Sequence, residues 1–330
     1  MKLGSLKEGG RDGCLIVVSR DLGSAVRATG IAATLQQALD DWSNTAPRLN
    51  ALYESLNAGD ADGVFEVDMT ALAAPLPRAY EFVDGSAYLP HVERVRRARG
   101  AEVPESFYTD PLMYQATGAG FYGPRDTVKV TSEDYGIDLE AEIVVITDDV
   151  PMAATPAQAA AHIQLVGLVN DVSLRNLIPG ELAKGFGFLQ SKPRSALSPV
   201  FVTPDELGDA WRDNKLHRPL LTHINGEWFG APDAGVDMQF DFAQLVAHAA
   251  KTRPLAAGTI VGSGTIANED TGKGASCFAE KRTVETLEHG AAKTPFMSFG
   301  DTVRIEMLDA QGSSIFGAIE QVIERQARPD

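Results

Sequence analysis

The sequence predicts a mixed α/β fold that is mainly β, with a few short helices. Aliphatic and β-branched runs at residues 143–146 and 165–169 favour buried strands. An Asn225-Gly226 pair inside the run 221–229 is typical of a tight hairpin. The helical patterns are short, and one begins at a capping box at residues 34–37. Strands therefore dominate the prediction.

Residues 1–75 are expected to form a small α+β domain. Strands are predicted at residues 14–18 and 64–67, and apolar residues at helical spacing predict two helices between them. Gly59 is expected to end the second helix. Two prolines at residues 75–78 favour an extended linker, so we place the domain boundary after residue 75.

Residues 76–330 form the predicted larger, strand-rich domain. The basic run at residues 91–99 is interpreted as a solvated helix face. A capping box at residues 155–158 predicts a short alanine-rich helix, and residues 240–250 predict another. Two strand patterns, 302–307 and 314–322, flank a Gln-Gly turn and predict a closing hairpin.

Composition excludes some classes of partner. The chain has 330 residues, 44% of them hydrophobic, and carries 29 basic against 45 acidic residues, a net charge of −16. Such a balance disfavours nucleic acid and anionic membrane as partners. Cys14 and Cys277 are too few for a disulfide framework, and no run of eighteen apolar residues occurs. We therefore expect a soluble cytoplasmic protein.

The junction at residues 138–142 is the most informative stretch. Asp138, Glu140 and Glu142 alternate with apolar residues and lead into a strand-prone run, so they are expected to share one face. Carboxylates two apart on a strand are about 6–7 Å apart and repel by roughly 2–3 kcal/mol at an effective dielectric near 20. A divalent metal would compensate such a cluster.

Two further acids stand near strand ends, Asp110 before a proline and Asp171 after a buried run. The six histidines are scattered, and none lies beside the acidic strand. An all-carboxylate site would select Mg²⁺, Mn²⁺ or Ca²⁺. From spacing alone, an alternative stays open in which Asp110 and Asp171 cap turns and the glutamates face water.

The chain resembles the fumarylacetoacetate hydrolase family. The similarity runs over about residues 75–330 and rests on five motifs in order. They are Tyr-Thr-Asp at 108–110, Glu-x-Glu at 140–142, Asn-Asp-x-Ser-x-Arg at 170–175, Gly-Phe-Gly-Phe-Leu-Gln-Ser-Lys at 185–192 and Gly-Ser-Gly-Thr-Ile at 262–266.

The resemblance implies a β-roll catalytic domain in which four carboxylates hold a divalent cation. Carried over by position, those ligands are Asp110, Glu140, Glu142 and Asp171. Asp138 has no ligand role in the family and is expected to end a turn. The resemblance also implies hydrolysis of a carbon–carbon bond in a β-diketo acid, a small keto-acid substrate of aromatic catabolism, with the departing carbanion stabilised as an enolate.

Other positions match family roles. Lys192 matches the lysine that stabilises the developing charge, and the alternative is a solvated surface ammonium. Thr265 matches a substrate contact, and the alternative is a strand threonine without a function. Tyr114 and Arg125, which flank a glycine-rich loop, are candidate contacts for the substrate carboxylate, although Arg125 could be structural.

One expected residue is missing from the predicted site. Family hydrolases carry a histidine a few residues after the first aspartate, paired with a glutamate, as the water-activating base. No histidine lies between His91 and His162, and Gln115 or Thr117 occupies that region. Glu280 is the best match to the paired glutamate, and its alternative is a surface ion pair.

The absence of that histidine leaves the reaction open. Either Glu280 activates water directly, or the chain is an oxaloacetate-type decarboxylase or a dienoate isomerase. A third interpretation is a non-catalytic module whose fold is stabilised by a bound Ca²⁺. Family members commonly form homodimers, so a homodimer is expected.

Overall fold

The computed structural model describes residues 1–98, 100 and 102–327. None of the helices in this part of the chain is long and apolar enough to cross a membrane. The α-helices are α1 Leu35–Asp40, α2 Trp42–Ala58, α3 Leu89–Ala98, α4 Pro156–Ala160, α5 Ile178–Leu182, α6 Phe242–Ala249 and α7 Phe278–His289.

Strands outnumber helices in the described residues. They are β1 Lys2–Leu6, β2 Cys14–Val18, β3 Ser24–Arg27, β4 Phe65–Glu66, β5 Leu72–Ala73, β6 Phe82–Gly85, β7 Met113–Ala116, β8 Val128–Val130, β9 Ile137–Asp138, β10 Ala141–Thr147, β11 Ile163–Asn170, β12 Ser173–Leu174, β13 Ala196–Leu197, β14 Phe201–Val202, β15 Trp211–Arg212, β16 Lys215–Leu216, β17 Leu220–Ile224, β18 Glu227–Gly230, β19 Ile260–Gly262, β20 Thr302–Met307 and β21 Ile319–Arg325. The predicted mixed, mainly β fold class is confirmed.

A 12-stranded sheet forms the centre of the molecule. Its main path runs β4-β3-β2-β1-β14-β11-β10-β19-β6-β7. Because β1 pairs with β14, the first strand of the chain joins the same sheet as the acidic strand β10. The division after residue 75 therefore crosses a continuous sheet, and it stays a prediction.

A second sheet of five strands has the order β18-β17-β20-β21-β8. The Asn-Gly hairpin joins β17 to β18, with Asn225 at φ 52° and Gly226 at φ 80°. The C-terminal strand begins at Ile319, later than the predicted residue 314, because the chain first turns through Gly317 at φ 73°.

Close packing between β11 and β14 leaves no room at Gly167. A Cβ atom there would lie 2.0 Å from Cε1 of Phe201, a side chain that is itself fully buried. We expect Gly167→Ala to lower the free energy of unfolding by roughly 2–3 kcal/mol through overpacking. Denaturant titration would measure it, with Gly180→Ala in α5 as the control because a Cβ there meets nothing within 4 Å. Equal stability of the two variants would contradict this packing.

Candidate active site

Three neighbouring strands and one strand end bring distant carboxylates together. The sheet order β11-β10-β19-β6 places Glu142 of β10 beside β19, and β19 pairs in parallel with β6, where Gly262 is opposite Asp84. Asp171 directly follows β11, and its amide donates to the carbonyl of Glu140 at 2.9 Å. Main-chain pairing therefore fixes where all three acids stand.

Asp84, Glu142 and Asp171 form a buried carboxylate triad. One oxygen from each lies within 4.8 Å of the others, and all three side chains are at most 2% exposed. Among the described residues, neither Asp84 nor Glu142 takes part in an ion pair. Two buried carboxylates without a cationic partner carry the charge that one divalent ion would balance.

Glu142 is the least satisfied member of the triad. Neither of its carboxylate oxygens has a hydrogen-bond partner in the described structure. Burial, together with the nearby charges of Asp84 and Asp171, raises the pKa of Glu142 well above its ordinary value. Burial, and then the charge of Asp171, raises the pKa of Asp84 to about 7. Buried polar atoms are normally paired, so these oxygens are suited to a ligand.

Gly262 keeps the space beside the triad open. A Cβ atom at this position would lie 2.2 Å from Oδ1 of Asp84 and 3.3 Å from Oε2 of Glu142. Any side chain here would push the Asp84 carboxylate out of place. The donors are all oxygens, so the residues present fit a hard cation such as Mg²⁺, Mn²⁺ or Ca²⁺.

Glu140 adjoins the triad but has its own partners. Its Oε1 accepts from Lys192 Nζ at 2.5 Å and from the Ser173 hydroxyl, and its Oε2 accepts from the Thr265 hydroxyl. Burial alone would raise the pKa of Glu140, but Arg175 and Lys192 hold it below its ordinary value. Glu140 is therefore an anion paired with Lys192, and its role as a metal ligand stays a prediction.

Lys192 and Tyr114 both reach Asp171. Lys192 Nζ donates to Oδ2 of Asp171 at 2.6 Å, and the Tyr114 hydroxyl donates to the same oxygen at 2.5 Å. The ammonium lies 5.1 Å from the centre of the Tyr114 ring, and Phe188 packs edge-on against that ring. Although burial would lower it, the adjacent Asp171 and Glu140 raise the pKa of Lys192, so it stays charged. The surface alternative for Lys192 does not hold, since it is 7% exposed.

The structure does not bring Asp110 to this cluster. Its side chain is 67% exposed and lies 3.6 Å from Nδ1 of His248. It follows a 3₁₀ turn at Glu105–Tyr108, where its amide donates to the carbonyl of Ser106. Asp110 is thus a turn residue, the alternative considered from the sequence. The aspartate that the structure places beside Glu142 and Asp171 is Asp84, which reaches them through parallel pairing of β6 with β19.

Arg125 also lies elsewhere. Its guanidinium forms an ion pair with Glu320 on β21, to which Arg304 also binds. No hydrogen bond or ion pair in the described part of the chain connects Arg125 to the triad. The structural alternative for Arg125 therefore fits this structure better than a contact with substrate.

The histidine that seemed to be missing is His91. It lies in α3, seven residues after Asp84, and its Nδ1 is 2.6 Å from Oε2 of Glu280 in α7. Arg94 Nη1 donates to the other oxygen of Glu280 at 2.6 Å. The interpretation of residues 91–99 as a solvated face is wrong at these two positions. When the expected spacing is counted from Asp84 instead of Asp110, it leads to His91.

Glu280 is a buried, ionised carboxylate, so it does not form the surface ion pair that was the alternative. It is 2% exposed, and although burial would raise its pKa, His91 and Arg94 lower the pKa below its ordinary value. An ionised Glu280 accepts a hydrogen bond from the Nδ1–H of a neutral His91, so Nε2 is left with a lone pair. No described residue hydrogen-bonds to Nε2. His91 can therefore act as a general base.

The raised pKa values of Asp84 and Glu142 predict that cation binding depends on pH. In the metal-free protein burial favours the neutral form of both groups, so the stability that these protonated acids contribute is lost as pH rises from the ordinary carboxyl range through the raised pKa values, about 7 for Asp84. Magnesium competes with those protons and binds better at high pH. We expect about 5 mM Mg²⁺ to raise the melting temperature more at pH 8 than at pH 5.5. Calorimetric melting checks this, and an equal rise at both pH values would contradict it.

The fold and site agree with two family models. The model described as "Fumarylacetoacetate (FAA) hydrolase C-terminal" matches residues 81–324, and the one described as "Fumarylacetoacetase N-terminal domain 2" matches residues 1–78. Since the first match covers most of the chain, the protein belongs to the fumarylacetoacetate hydrolase family.

Similar proteins differ in reaction. The chain is 27% identical over 168 residues to a 2,4-didehydro-3-deoxy-L-rhamnonate hydrolase of Sphingomonas sp. (strain SKA58), covering 50% of this chain and 56% of that enzyme. It is 23% identical over 256 residues to a mitochondrial oxaloacetate tautomerase of Bos taurus, covering 67% and 78%. The chain therefore spans only about half the length of the first of these relatives.

A solved structure gives a similar fold. Maleylpyruvate hydrolase from Sphingobium sp. SYK-6, in complex with manganese(II) ion and pyruvate, aligns with a TM-score of 0.66 at 14% identity and covers 99% of this chain and 100% of that one. At this identity the likeness concerns the fold.

Proposed function

We propose that this protein is a divalent-metal-dependent hydrolase that cleaves a carbon–carbon bond in a β-diketo acid of fumarylacetoacetate or acylpyruvate type. The observation that carries the proposal is the His91–Glu280 pair, 2.6 Å apart, in which His91 lies on α3, the helix that follows Asp84, and Glu280 lies on α7. A hydrolase needs a base for water. A decarboxylase or an isomerase of the same scaffold does not need one for that purpose.

Asp84, Glu142 and Asp171 would hold the cation, and Mg²⁺ is the proposed ion, with Mn²⁺ or Ca²⁺ as alternatives. When bound, the cation would supply Lewis acidity toward the paired oxygens of the keto acid. In its ionised form the triad offers only hydrogen-bond acceptors, so it repels an anion unless a cation is bound. A cation is therefore a condition for an acidic substrate to enter this site.

His91 and Glu280 would deliver water. Glu280 keeps Nδ1 of His91 as the donor, so Nε2 removes a proton as the water oxygen bonds to the carbonyl carbon distant from the carboxylate. The carbon–carbon bond then breaks, and its electron pair leaves on the enolate of the keto acid. The proton held on His91 balances the step when it returns to that enolate carbon.

Lys192 would stabilise the negative charge that develops on the leaving enolate. It is charged and buried, and its two carboxylate contacts hold it in one orientation before substrate arrives. Thr265 orients Glu140, and Tyr114 orients Asp171, so both line the site through those acids. A non-catalytic module in which Ca²⁺ only stabilises the fold would need neither the buried Lys192 ammonium nor the His91–Glu280 pair.

A tautomerase or decarboxylase of oxaloacetate type is the second candidate. The match to the bovine oxaloacetate tautomerase favours it, and a dienoate isomerase is a related option. Tautomerisation moves one proton between carbon and oxygen, for which His91 alone would suffice. The two candidates therefore differ in whether water is consumed.

Turnover assays separate the candidates. Purified protein with Mg²⁺ would be given acetylpyruvate, fumarylpyruvate and oxaloacetate, and products would be measured by chromatography. The proposal expects pyruvate plus acetate or fumarate from the first two substrates, and loss of both activities with EDTA. Enol–keto exchange of oxaloacetate without cleavage of either diketo acid would support the second candidate instead.

We also propose that the enzyme is a homodimer that acts in the catabolism of aromatic compounds. Phe186, Leu189 and Leu182, in and beside the loop that leads to Lys192, are 99%, 80% and 48% exposed, which is unusual for apolar side chains of a monomer. Light scattering after size exclusion would test the dimer, and a monomeric mass would contradict it.

A further inference from the structure

We propose that Asp138 is a positioning residue that fixes the helix carrying Glu280 relative to the metal-binding strand. The inference rests on the proposed function, because the pair that it positions is the proposed base. From the sequence, Asp138 was expected to share a face with Glu140 and Glu142, and the family resemblance implied no more than the end of a turn. The structure gives this carboxylate contacts to two separate segments of the site, the start of α7 and Arg175.

Asp138 holds the first turn of α7. Its Oδ1 accepts from the amide of Phe278 at 2.7 Å, and its Oδ2 accepts from the amide of Ala279 at 2.9 Å. These are the first two amides of the helix, which no intrahelical carbonyl can satisfy. The next residue along the helix is Glu280, the partner of His91. Asp138 is 1% exposed, so water does not replace these bonds.

The helix has only a weak cap of its own. Its capping residue is Cys277, whose Sγ accepts from the amide of Glu280 at 3.3 Å. Sulfur is a poor acceptor compared with a carboxylate or hydroxyl oxygen. The orientation of the first turn therefore depends on a residue 140 positions earlier in the chain.

Arg175 connects the same carboxylate to the carboxylate cluster. Its Nε donates to Oδ2 of Asp138 at 2.8 Å, and its Nη2 lies 3.2 Å from Oε1 of Glu140. Glu140 in turn binds Lys192. The path from Glu280 to Lys192 thus runs along the first turn of α7 and through the charged side chains of Asp138, Arg175 and Glu140, and each side-chain contact along it is a hydrogen bond or an ion pair.

Asp138 and Glu140 are two residues apart in the chain, and Arg175 contacts both carboxylates, so a displacement of one is transmitted to the other. Anchoring α7 to Asp138 sets the distance between the proposed base and the metal-binding carboxylates. A shift of about 1 Å in such a distance can cost about 100-fold in rate. Loss of the anchor should therefore slow the reaction without removing any group that touches the substrate.

The test compares Asp138→Ala, Asp138→Asn and a cap variant at another helix. Asp138→Asn keeps an oxygen for one amide but loses the charge toward Arg175. We expect kcat to fall about 100-fold in Asp138→Ala and about 10-fold in Asp138→Asn, with KM within about threefold of wild type. Asp241→Ala removes the carboxylate that caps α6 and serves as the control, with kcat within about twofold.

A spectroscopic readout separates this inference from the proposed function. With nitrogen-15-labelled histidine, NMR should detect the Nδ1 proton that His91 shares with Glu280, assigned by its loss in His91→Asn. We expect that signal to shift or disappear in Asp138→Ala and to persist in Asp241→Ala. This measurement does not require turnover, so it remains informative if no keto acid is cleaved.

Two results would overturn the inference. One is a folded Asp138→Ala protein with unchanged kcat and an unchanged His91 signal. The other is a loss of Mg²⁺ affinity, measured by calorimetry, that matches the loss of kcat, because Asp138 would then act through Glu140. If Asp138→Ala does not fold, Asp138→Asn and Arg175→Lys are judged by the same criteria.

Discussion

Asp84→Asn is expected to weaken Mg²⁺ binding by about 100-fold or more, since even residues behind the ligands change metal affinity 10- to 100-fold. The substitution removes one of the two triad carboxylates that have no cationic partner, and with it half of the uncompensated charge. The amide keeps the size of the side chain, so the Gly264 amide that donates to Oδ1 at 3.1 Å can still be satisfied. Isothermal titration calorimetry measures the affinity directly.

Asp110→Asn is the matched control for this prediction. It makes the same chemical change at the aspartate that the Tyr-Thr-Asp motif indicated, but the structure exposes 67% of that side chain. Its Mg²⁺ affinity should stay within about twofold of wild type. If Asp110→Asn lost affinity and Asp84→Asn kept it, the proposed ligand set would be wrong.

His91→Asn is expected to lower kcat for carbon–carbon cleavage by about 10²–10⁴-fold, the range for loss of a general base. Asparagine can still donate to Glu280 but takes no proton at neutral pH. Magnesium affinity should not change, because His91 makes no contact with the triad in the described structure. Steady-state kinetics with the best diketo acid, beside calorimetry with Mg²⁺, would measure both.

His162→Asn controls for the loss of a histidine–carboxylate pair as such. Nδ1 of His162 lies 2.6 Å from Oδ1 of Asp148, the same distance as in the His91 pair, but at the far end of the β10–β11 hairpin. Its kcat should equal that of wild type. Full cleavage activity in His91→Asn would exclude this histidine as the base and favour the tautomerase alternative.

Much of the fold could be predicted from local patterns. The alternation at 138–142, the aliphatic runs and the Asn-Gly turn depend on near neighbours in the chain, and each gave the observed type of element. The start of the last strand was missed because a turn at Gly317 packs against Pro199, which is a tertiary contact.

The site was predicted less completely. Glu142 lies on β10, and Asp171 directly follows β11, the next strand in the chain, so their proximity follows from the antiparallel pairing of successive strands. Asp84 joins them only through parallel pairing with a strand about 180 residues later, and nothing near it in the sequence shows this. The Tyr-Thr-Asp match indicated Asp110 instead of Asp84. The paired histidine was therefore expected after Asp110, where none occurs. The charges of Arg175 and Asp138 are evident in the sequence, but the residues that their side chains contact are not.

Diffraction from crystals grown with Mn²⁺, recorded at the manganese absorption edge, tests the central claim most directly. The account predicts one strong anomalous peak within about 2.0–2.4 Å of carboxylate oxygens from Asp84, Glu142 and Asp171. A peak at another position, or none while the triad oxygens stay as close as they are here, would contradict it.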